Sequence, residues 1–474
     1  MAVAYVSPYP MYVQMLTTAR TGAKCLPASQ ISQCRGLVLH DCHAEILTIR
    51  AFNYWLLNEC RDILSLPTGD KTSPYIRHRS KSKNSNDTWP PLELHQDVKI
   101  YMYCTCAPCG DASMELCMAA QEDPTPWELP PPPPPPSSNN NDNGTNLDAE
   151  ADTLLVGRAH FSLLGAVRRK PARTDAESTR SKSCSDKLAL RQVLSLLSHE
   201  TSLLVAPTEN VYLAGVVLPE EEISRLGCER AFGATGRMKA LNGRRWPASS
   251  HTSECPNEND QKYNYTFHPF QILSIPPGQI ELLWPFRKPP PLTPSSTSTT
   301  ATTTTNKKSK PSNLSVIWTL ASSHTTPVID HNPKSMPKLR GSTTGLYETI
   351  INGVKQGNKA SNPLARGASA LSRARLWALV RDIIVDRAQS QGGDDNSNSM
   401  SIVLEASTYD EFKDMCTSQD IAGSVVARGQ AIRDARQVLK GWVPNSGDGE
   451  WGLDVLVDPK KRKRESESEN KSNK

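Results

Sequence analysis

Three short apolar runs interleaved with stretches of helical spacing predict an α/β fold for this chain of 474 residues. The runs lie at 35–40, 98–104 and 211–218, each short enough for a strand and bounded by polar residues. After the first, Ile46, Leu47, Ile49, Phe52, Trp55 and Leu56 recur at helical spacing, and 186–198 and 373–388 repeat that pattern. A chain alternating in this way is expected to build a sheet with helices laid on it.

Three segments stand outside the pattern. Residues 78–96 are polar and basic, 129–150 join a proline run to Asn and Ser, and 288–313 are rich in Pro, Thr, Ser and Lys. Such compositions bury too little apolar surface to offset the entropy of ordering, so they read as disordered insertions in one domain spanning 16–458, with 459–474 a disordered tail. The proline run reads as a solvated spacer ahead of a ligand for proline-binding modules. No apolar stretch has the length of a membrane span, and the N-terminus lacks a basic-then-apolar signal. A soluble, intracellular protein of the nucleus and/or cytoplasm is therefore expected. Twelve cysteines at irregular spacing then imply reduced thiols and a metal site. The net charge of +5 is modest. Its most concentrated part, Lys460-Lys461-Arg462-Lys463-Arg464 after Pro459, fits a nuclear localisation signal, an RNA-contacting tail or a solvated end.

The chemistry concentrates in His43-Ala44-Glu45 and Pro108-Cys109-Gly110. Zinc deaminases hold the metal with a His and two Cys, while a Glu that does not ligate it moves protons. The usual second half is P-C-x-x-C, but Ala112 stands three after Cys109, so the third ligand comes from elsewhere. Cys104, Cys106, Cys117 and Cys184 are the candidates. Cys104 and Cys106 end an apolar run and would share one face of a strand, as core or as ligands. Cys117, eight residues on from Cys109, would be about 12 Å away along a helix, too far to share one ion. Cys184 precedes a helical pattern, and a helix N-terminus stabilises a thiolate.

With Ser183-Cys184-Ser185-Asp186-Lys187 the chain resembles a known family, the deaminase domain shared by adenosine deaminases acting on RNA and tRNA-specific adenosine deaminases. Three motifs follow in that family's order: His40-Asp41-Cys42-His43-Ala44-Glu45, Pro108-Cys109-Gly110-Asp111-Ala112, and the serine-flanked Cys184. The resemblance implies Zn²⁺ on His43, Cys109 and Cys184, with Glu45 catalytic. It also implies a cytidine-deaminase-like mixed sheet flanked by helices, with the extended C-terminal part of the RNA adenosine deaminase domain. His43 and Cys109 would meet at the starts of two adjacent helices.

Arg168-Arg169-Lys170-Pro171-Ala172-Arg173-Thr174-Asp175 is similar to the R-x-K-P-G-R-x-D segment of the branch that acts beside the anticodon, with Ala172 in place of Gly. About forty residues precede His43, too few for double-stranded RNA-binding domains. Both features favour tRNA over long duplex RNA. The resemblance implies adenosine 37 of alanine tRNA as the target, with Lys24, Arg168, Arg169, Lys170 and Arg173 touching RNA.

A buried inositol hexakisphosphate is implied on the same ground, held by Arg50, Lys187, Arg191, Lys355, Tyr409, Lys413 and Trp442. Arg50 follows His43 by seven residues on an otherwise apolar helix. Ile49 replaces the Arg often found before Arg50, and Arg191 and Gln192 replace the usual Trp and Asn. Thr21-Gly22-Ala23-Lys24-Cys25 resembles a segment near the family's nucleotide pocket, yet residues 1–15 do not resemble the strand that ordinarily precedes it. An incomplete sheet is therefore expected at this end. The alternatives are a cytidine or free-nucleoside deaminase, a double-stranded RNA editor, and an inactive RNA-binding relative, which would have no use for Glu45.

Overall fold

The computed structural model describes residues 2–6, 13–20, 24–65, 73–79, 90–120, 163–170, 177–246, 264–279, 313–322, 344–390, 404–415 and 423–457. Its frame is an eight-stranded mixed sheet of β1 (Ala2–Val6), β2 (Val13–Arg20), β5 (Lys99–Tyr103), β6 (Leu213–Pro219), β9 (Gln271–Ile275), β10 (Leu314–Leu320), β11 (Thr344–Ile351) and β12 (Val354–Lys355). The order is β12-β11-β10-β2-β1-β5-β6-β9. β5, β6 and β9 run parallel, and the remaining neighbours are antiparallel. Two strand pairs stand apart, β3 (Ile76–His78) with β4 (Leu92–Leu94) and β7 (Arg245–Trp246) with β8 (Tyr265–Thr266).

Seven helices accompany the strands among the described residues: α1 (Ala44–Leu64), α2 (Met114–Ala119), α3 (Cys184–Leu194), α4 (Arg225–Phe232), α5 (Arg373–Ser390), α6 (Tyr409–Met415) and α7 (Gly423–Val438). The mixed α/β class is as the sequence predicts. α1 contains neither Gly nor Pro, and Pro67 and Gly69 follow its end at Ser65. Its Leu47, Phe52, Trp55, Leu56, Cys60 and Ile63 are buried, and the helix packs on β2, β10 and α5. Each fully buried side chain of this size contributes roughly 1.5–3 kcal/mol, so this packing fixes the helix that carries Glu45. None of the helices is long and apolar enough to cross a membrane.

Three expectations change. The N-terminal end belongs to the sheet, with β1 and β2 as its central strands. The five-residue length of β1 and the intervening Pro8 and Pro10 hide them in the sequence. The run 35–40 is not a strand: Arg35 and Gly36 are left-handed, at φ 46° and 65°, and turn the chain. Leu37, Val38 and Leu39 are nonetheless buried. The insertion expected at 78–96 begins and ends in order, since Ile76–His78 pairs with Leu92–Leu94. Residues 129–150, 288–312 and 459–474 lie outside the described residues.

Candidate active site

Three chain segments converge beside the sheet. His43 is the N-cap of α1, and its ring makes no cap bond, which leaves it free to turn to the sulfurs. Its Nδ1 stands 3.8 Å from Cys109 Sγ and 3.5 Å from Cys184 Sγ. These ligand atoms all lie within 4.8 Å of one another. Tetrahedral zinc, with bonds of roughly 2.3 Å to sulfur and 2.0–2.1 Å to nitrogen, needs such atoms about 3.6–3.8 Å apart. The donor set and its spacing fit Zn²⁺. Cys104 is buried, Cys106 exposed and Cys117 half-buried, and none joins this trio among the described residues. Cys104 and Cys106 do not share a face, because β5 ends at Tyr103.

A second trio, Cys25, Asp41 and His43, is also close enough for a metal. It is a poor competitor, because Asp41 is already committed. Its carboxylate accepts from His43 N at 3.0 Å, Lys170 Nζ at 2.9 Å, Ser181 Oγ at 2.7 Å and Lys187 Nζ. Burial would raise the Asp41 pKa, but Lys170 and then Lys187 outweigh it and hold the carboxyl well below its usual range. Lys170 in turn donates to Cys184 Sγ at 3.4 Å. Burial would lower the Lys170 pKa, yet Asp41, Cys184 and Cys109 hold it well above the ordinary lysine value. The hydrogen bond with Cys184, with Lys170 and His43 nearby, pulls the Cys109 thiol well below its own. Burial and the neighbouring Cys109 push the Cys184 thiol the other way, well above its ordinary value.

Local geometry explains the serines and glycine of the motifs. Ser183 caps α3 by accepting from Asp186 N, and Ser185 Oγ donates to Cys109 O at 3.0 Å. Gly110 has φ 103°, and a Cβ there would stand 2.2 Å from Ser183 Oγ. Only glycine permits both that backbone and that approach. Gly110→Ala should therefore destabilise the fold by roughly 1–3 kcal/mol and lower the zinc content, read by thermal unfolding and metal analysis. Unchanged stability and metal content would refute this account of the turn.

Glu45, the second residue of α1, is buried, 9% exposed, and its charge acts on both Cys184 and Cys104. It lies beside the trio without belonging to it, as a proton carrier must.

The residues expected to touch RNA divide. Lys24 is exposed, and Arg173 lies outside the described residues. Arg168, Arg169 and Lys170 are 2, 7 and 5% exposed, so they are interior groups and not a phosphate-binding surface. Arg168 N donates to Asp186 at 2.9 Å, Arg169 bridges Lys182, and Lys170 serves Asp41 and Cys184. Buried acids hold the Arg168 backbone and the Lys170 ammonium, where the sequence showed only a basic run.

The residues expected around a polyanion divide as well. Arg50 donates to Leu371 O, Arg191 to Leu197 O, and Arg428 to Leu194 O and Leu197 O. Arg428, on α7, escaped the sequence reading, for an isolated Arg on a C-terminal helix carries no signal of its own. These arginines feel one another: burial, then Arg428 and Arg50, pull Arg191 down to about 9. Glu200 is the carboxylate that acts on both Arg50 and Arg191, and it accepts from Tyr409 Oη at 2.9 Å. Of the other positions, Lys413 stands 5.3 Å from the centre of the Tyr409 ring. Lys187 is spent on Asp41, and Lys355 sits on the edge strand β12. Lys413 is 43% exposed and pairs with Asp410 at 2.5 Å, and Trp442 is flanked by Lys182 and Arg436.

A His/Cys/Cys trio with a buried Glu two residues past the His is the architecture of a hydrolytic deaminase. The adenosine-deaminase (editase) domain family matches residues 19–338, and the chain belongs to that family. It is similar to a tRNA-specific adenosine deaminase 1 from Schizosaccharomyces pombe, 30% identical over 437 residues that cover 90% of this chain and 82% of the relative. A Saccharomyces cerevisiae protein of the same name is 35% identical over 46% of this chain and 50% of its own. A double-stranded RNA-specific editase B2 from Mus musculus is 33% identical, over 19% of this chain and 11% of that protein.

Proposed function

We propose that this chain is a zinc-dependent deaminase that converts adenosine to inosine in tRNA, with adenosine 37 of alanine tRNA as its target. The observation that carries the reading is the convergence of His43, Cys109 and Cys184 beside Glu45, in a chain similar to a tRNA-specific deaminase over nearly its whole length. His43, Cys109 and Cys184 would hold the ion. When bound, Zn²⁺ supplies the Lewis acidity that makes water nucleophilic near neutral pH. Glu45 takes the proton released as water oxygen adds to C6 of adenine and delivers it to N1. It then carries the second proton to the departing amine, so that adenosine and water become inosine and ammonia. Asp41 and Lys170 position the site, the first by holding the His43 backbone, the second by donating to Cys184.

An unpaired loop base is cheaper to flip into such a pocket than a paired one, which favours an anticodon-loop adenosine over one in a duplex. Competition between an alanine tRNA transcript and a long perfect duplex tests the substrate: inosine is expected in the tRNA, and editing confined to the duplex would overturn the choice. For the metal, Cys109→Ala and Cys184→Ala should lower zinc far below one per chain, while Cys104→Ala should not. Equal zinc in all three variants would remove the ligand assignment.

The polyanion belongs to the same proposal. Arg50 and Arg191, both half-buried, and the buried Arg428 set three guanidiniums near the carboxylate of Glu200. Buried charge without a partner is costly, so this imbalance supports a bound inositol hexakisphosphate that completes the core.

A further inference from the structure

A cavity of about 570 Å³ opens beside the metal trio, within the size range of small-ligand sites. Its wall includes Cys25 and Cys42, which stand next to the catalytic segment: Cys25 pairs with Asp41, and Cys42 precedes His43. Neither Glu45 nor Cys109 lines it, so it is not where the reacting base sits. Its rim carries Lys24 and Lys359, both exposed and with no carboxylate partner among the described residues. Gln30, Asn352 and Asn358 add carboxamides to the lining, and Glu177 adds a carboxylate that accepts from Ser29 Oγ.

We propose that this cavity receives a nucleotide adjacent to the target adenosine and reads its base; the inference rests on the tRNA reading above. The lining matches the parts of a nucleotide. Two free ammonium groups at a rim suit phosphate, carboxamides suit the mixed donors and acceptors of a base edge, and a carboxylate suits a base that offers an N–H. Glu177 argues against a site for inorganic phosphate alone, since it would repel the anion. The cavity is also rigidly tied to the chemistry. Leu39 N donates to Gly353 O at 2.8 Å, which fixes the β11–β12 turn against the segment leading to His43. A Cβ on Gly353 would stand 2.4 Å from Leu39 O, so no other residue would permit that contact. On the far wall Thr179 Oγ1 donates to Lys170 O at 2.7 Å, and Lys170 is the lysine that reaches Cys184. A base seated here is thereby set in register with the metal ligands, which makes the neighbour of the target a specificity determinant.

The test uses the full chain and anticodon stem-loops of alanine tRNA carrying 4-thiouridine or 6-thioguanosine on either side of the target. Inosine is measured first, and irradiation then maps cross-linked peptides. One flanking position should cross-link to peptides containing residues 24–30 or 352–361. In parallel, kcat/KM is compared across stem-loops with each flanking base changed, for the wild type, Lys359→Ala and Asn352→Gly. The last variant removes the carboxamide while keeping the left-handed backbone that Asn352 adopts at φ 51°. Discrimination at one flanking position should fall about tenfold in Asn352→Gly, with zinc content unchanged as the check on folding. Inosine formation with unaltered discrimination in both variants, and no cross-link to these peptides, would overturn the subsite and leave the tRNA reading intact. No inosine in any stem-loop or tRNA would instead sink the tRNA reading, and the subsite with it.

Discussion

Glu45→Ala should lower kcat by roughly 10²–10⁴-fold, the range that a positioned general acid–base group supplies, while the protein keeps one zinc per chain. Both halves of the expectation follow from where the residue sits. Glu45 is two residues past His43, so its carboxylate is delivered to the pocket by the same N-terminus of α1, yet it is not among the three groups that could share an ion. Removing it takes away the proton carrier and leaves the sulfurs and imidazole where they were. Metal analysis and single-turnover inosine formation on the same preparation check the two halves together. Near-normal turnover at full zinc occupancy would show that another group moves the proton.

The second large effect concerns the interior cations. Protein produced in cells unable to make inositol hexakisphosphate should be insoluble or inactive, and denaturing active protein should release that ligand for mass spectrometry. The expectation rests on magnitudes. A domain's whole stability is about 5–15 kcal/mol, and one uncompensated buried charge can cost several of these. Arg50 and Arg191 have lowered pKa values, burial being the largest cause in both, with repulsion from neighbouring arginines next. Arg428 is 5% exposed; its two terminal nitrogens donate to the carbonyls of Leu194 and Leu197, which supply hydrogen bonds but no charge, and its Nε finds no partner among the described residues. Fully active, stable enzyme without the polyphosphate would mean that Glu200 and these carbonyls suffice. Arg428→Met is then expected to be tolerated.

The groups nearest the chemistry were legible in the sequence because each is embedded in a contiguous motif whose residue types serve one reaction. His43 and Glu45 are two apart, Gly110 follows Cys109, and serines flank Cys184. What holds them was not legible. Asp41 lies in plain view beside His43, but an acid before a helix start has many uses, and its partner Lys170 is 129 residues away. The same distance disguised the segment 168–170. Three adjacent cations read as a phosphate-binding surface until Asp41 is seen to hold the Lys170 ammonium inside and Asp186 the backbone of Arg168. In the fold, the long helix α1 announced itself through its period, whereas β1 has five residues and β2, though eight long, mixes Gln, Thr and Arg with its apolar residues, and two prolines stand between them. The run 35–40 failed for the opposite reason. Its apolar residues are buried as a strand's would be, but left-handed backbone at Arg35 and Gly36 prevents a ladder.

The most direct test of the central claim is to incubate the zinc-replete protein with a complete set of tRNA transcripts and sequence them for A-to-G changes, with Glu45→Ala as the control. The account predicts a single site of inosine, immediately 3′ of the anticodon in alanine tRNA, that disappears in the control. Absence of inosine from every tRNA at full zinc occupancy, or the same inosine in the Glu45→Ala reaction, would contradict it.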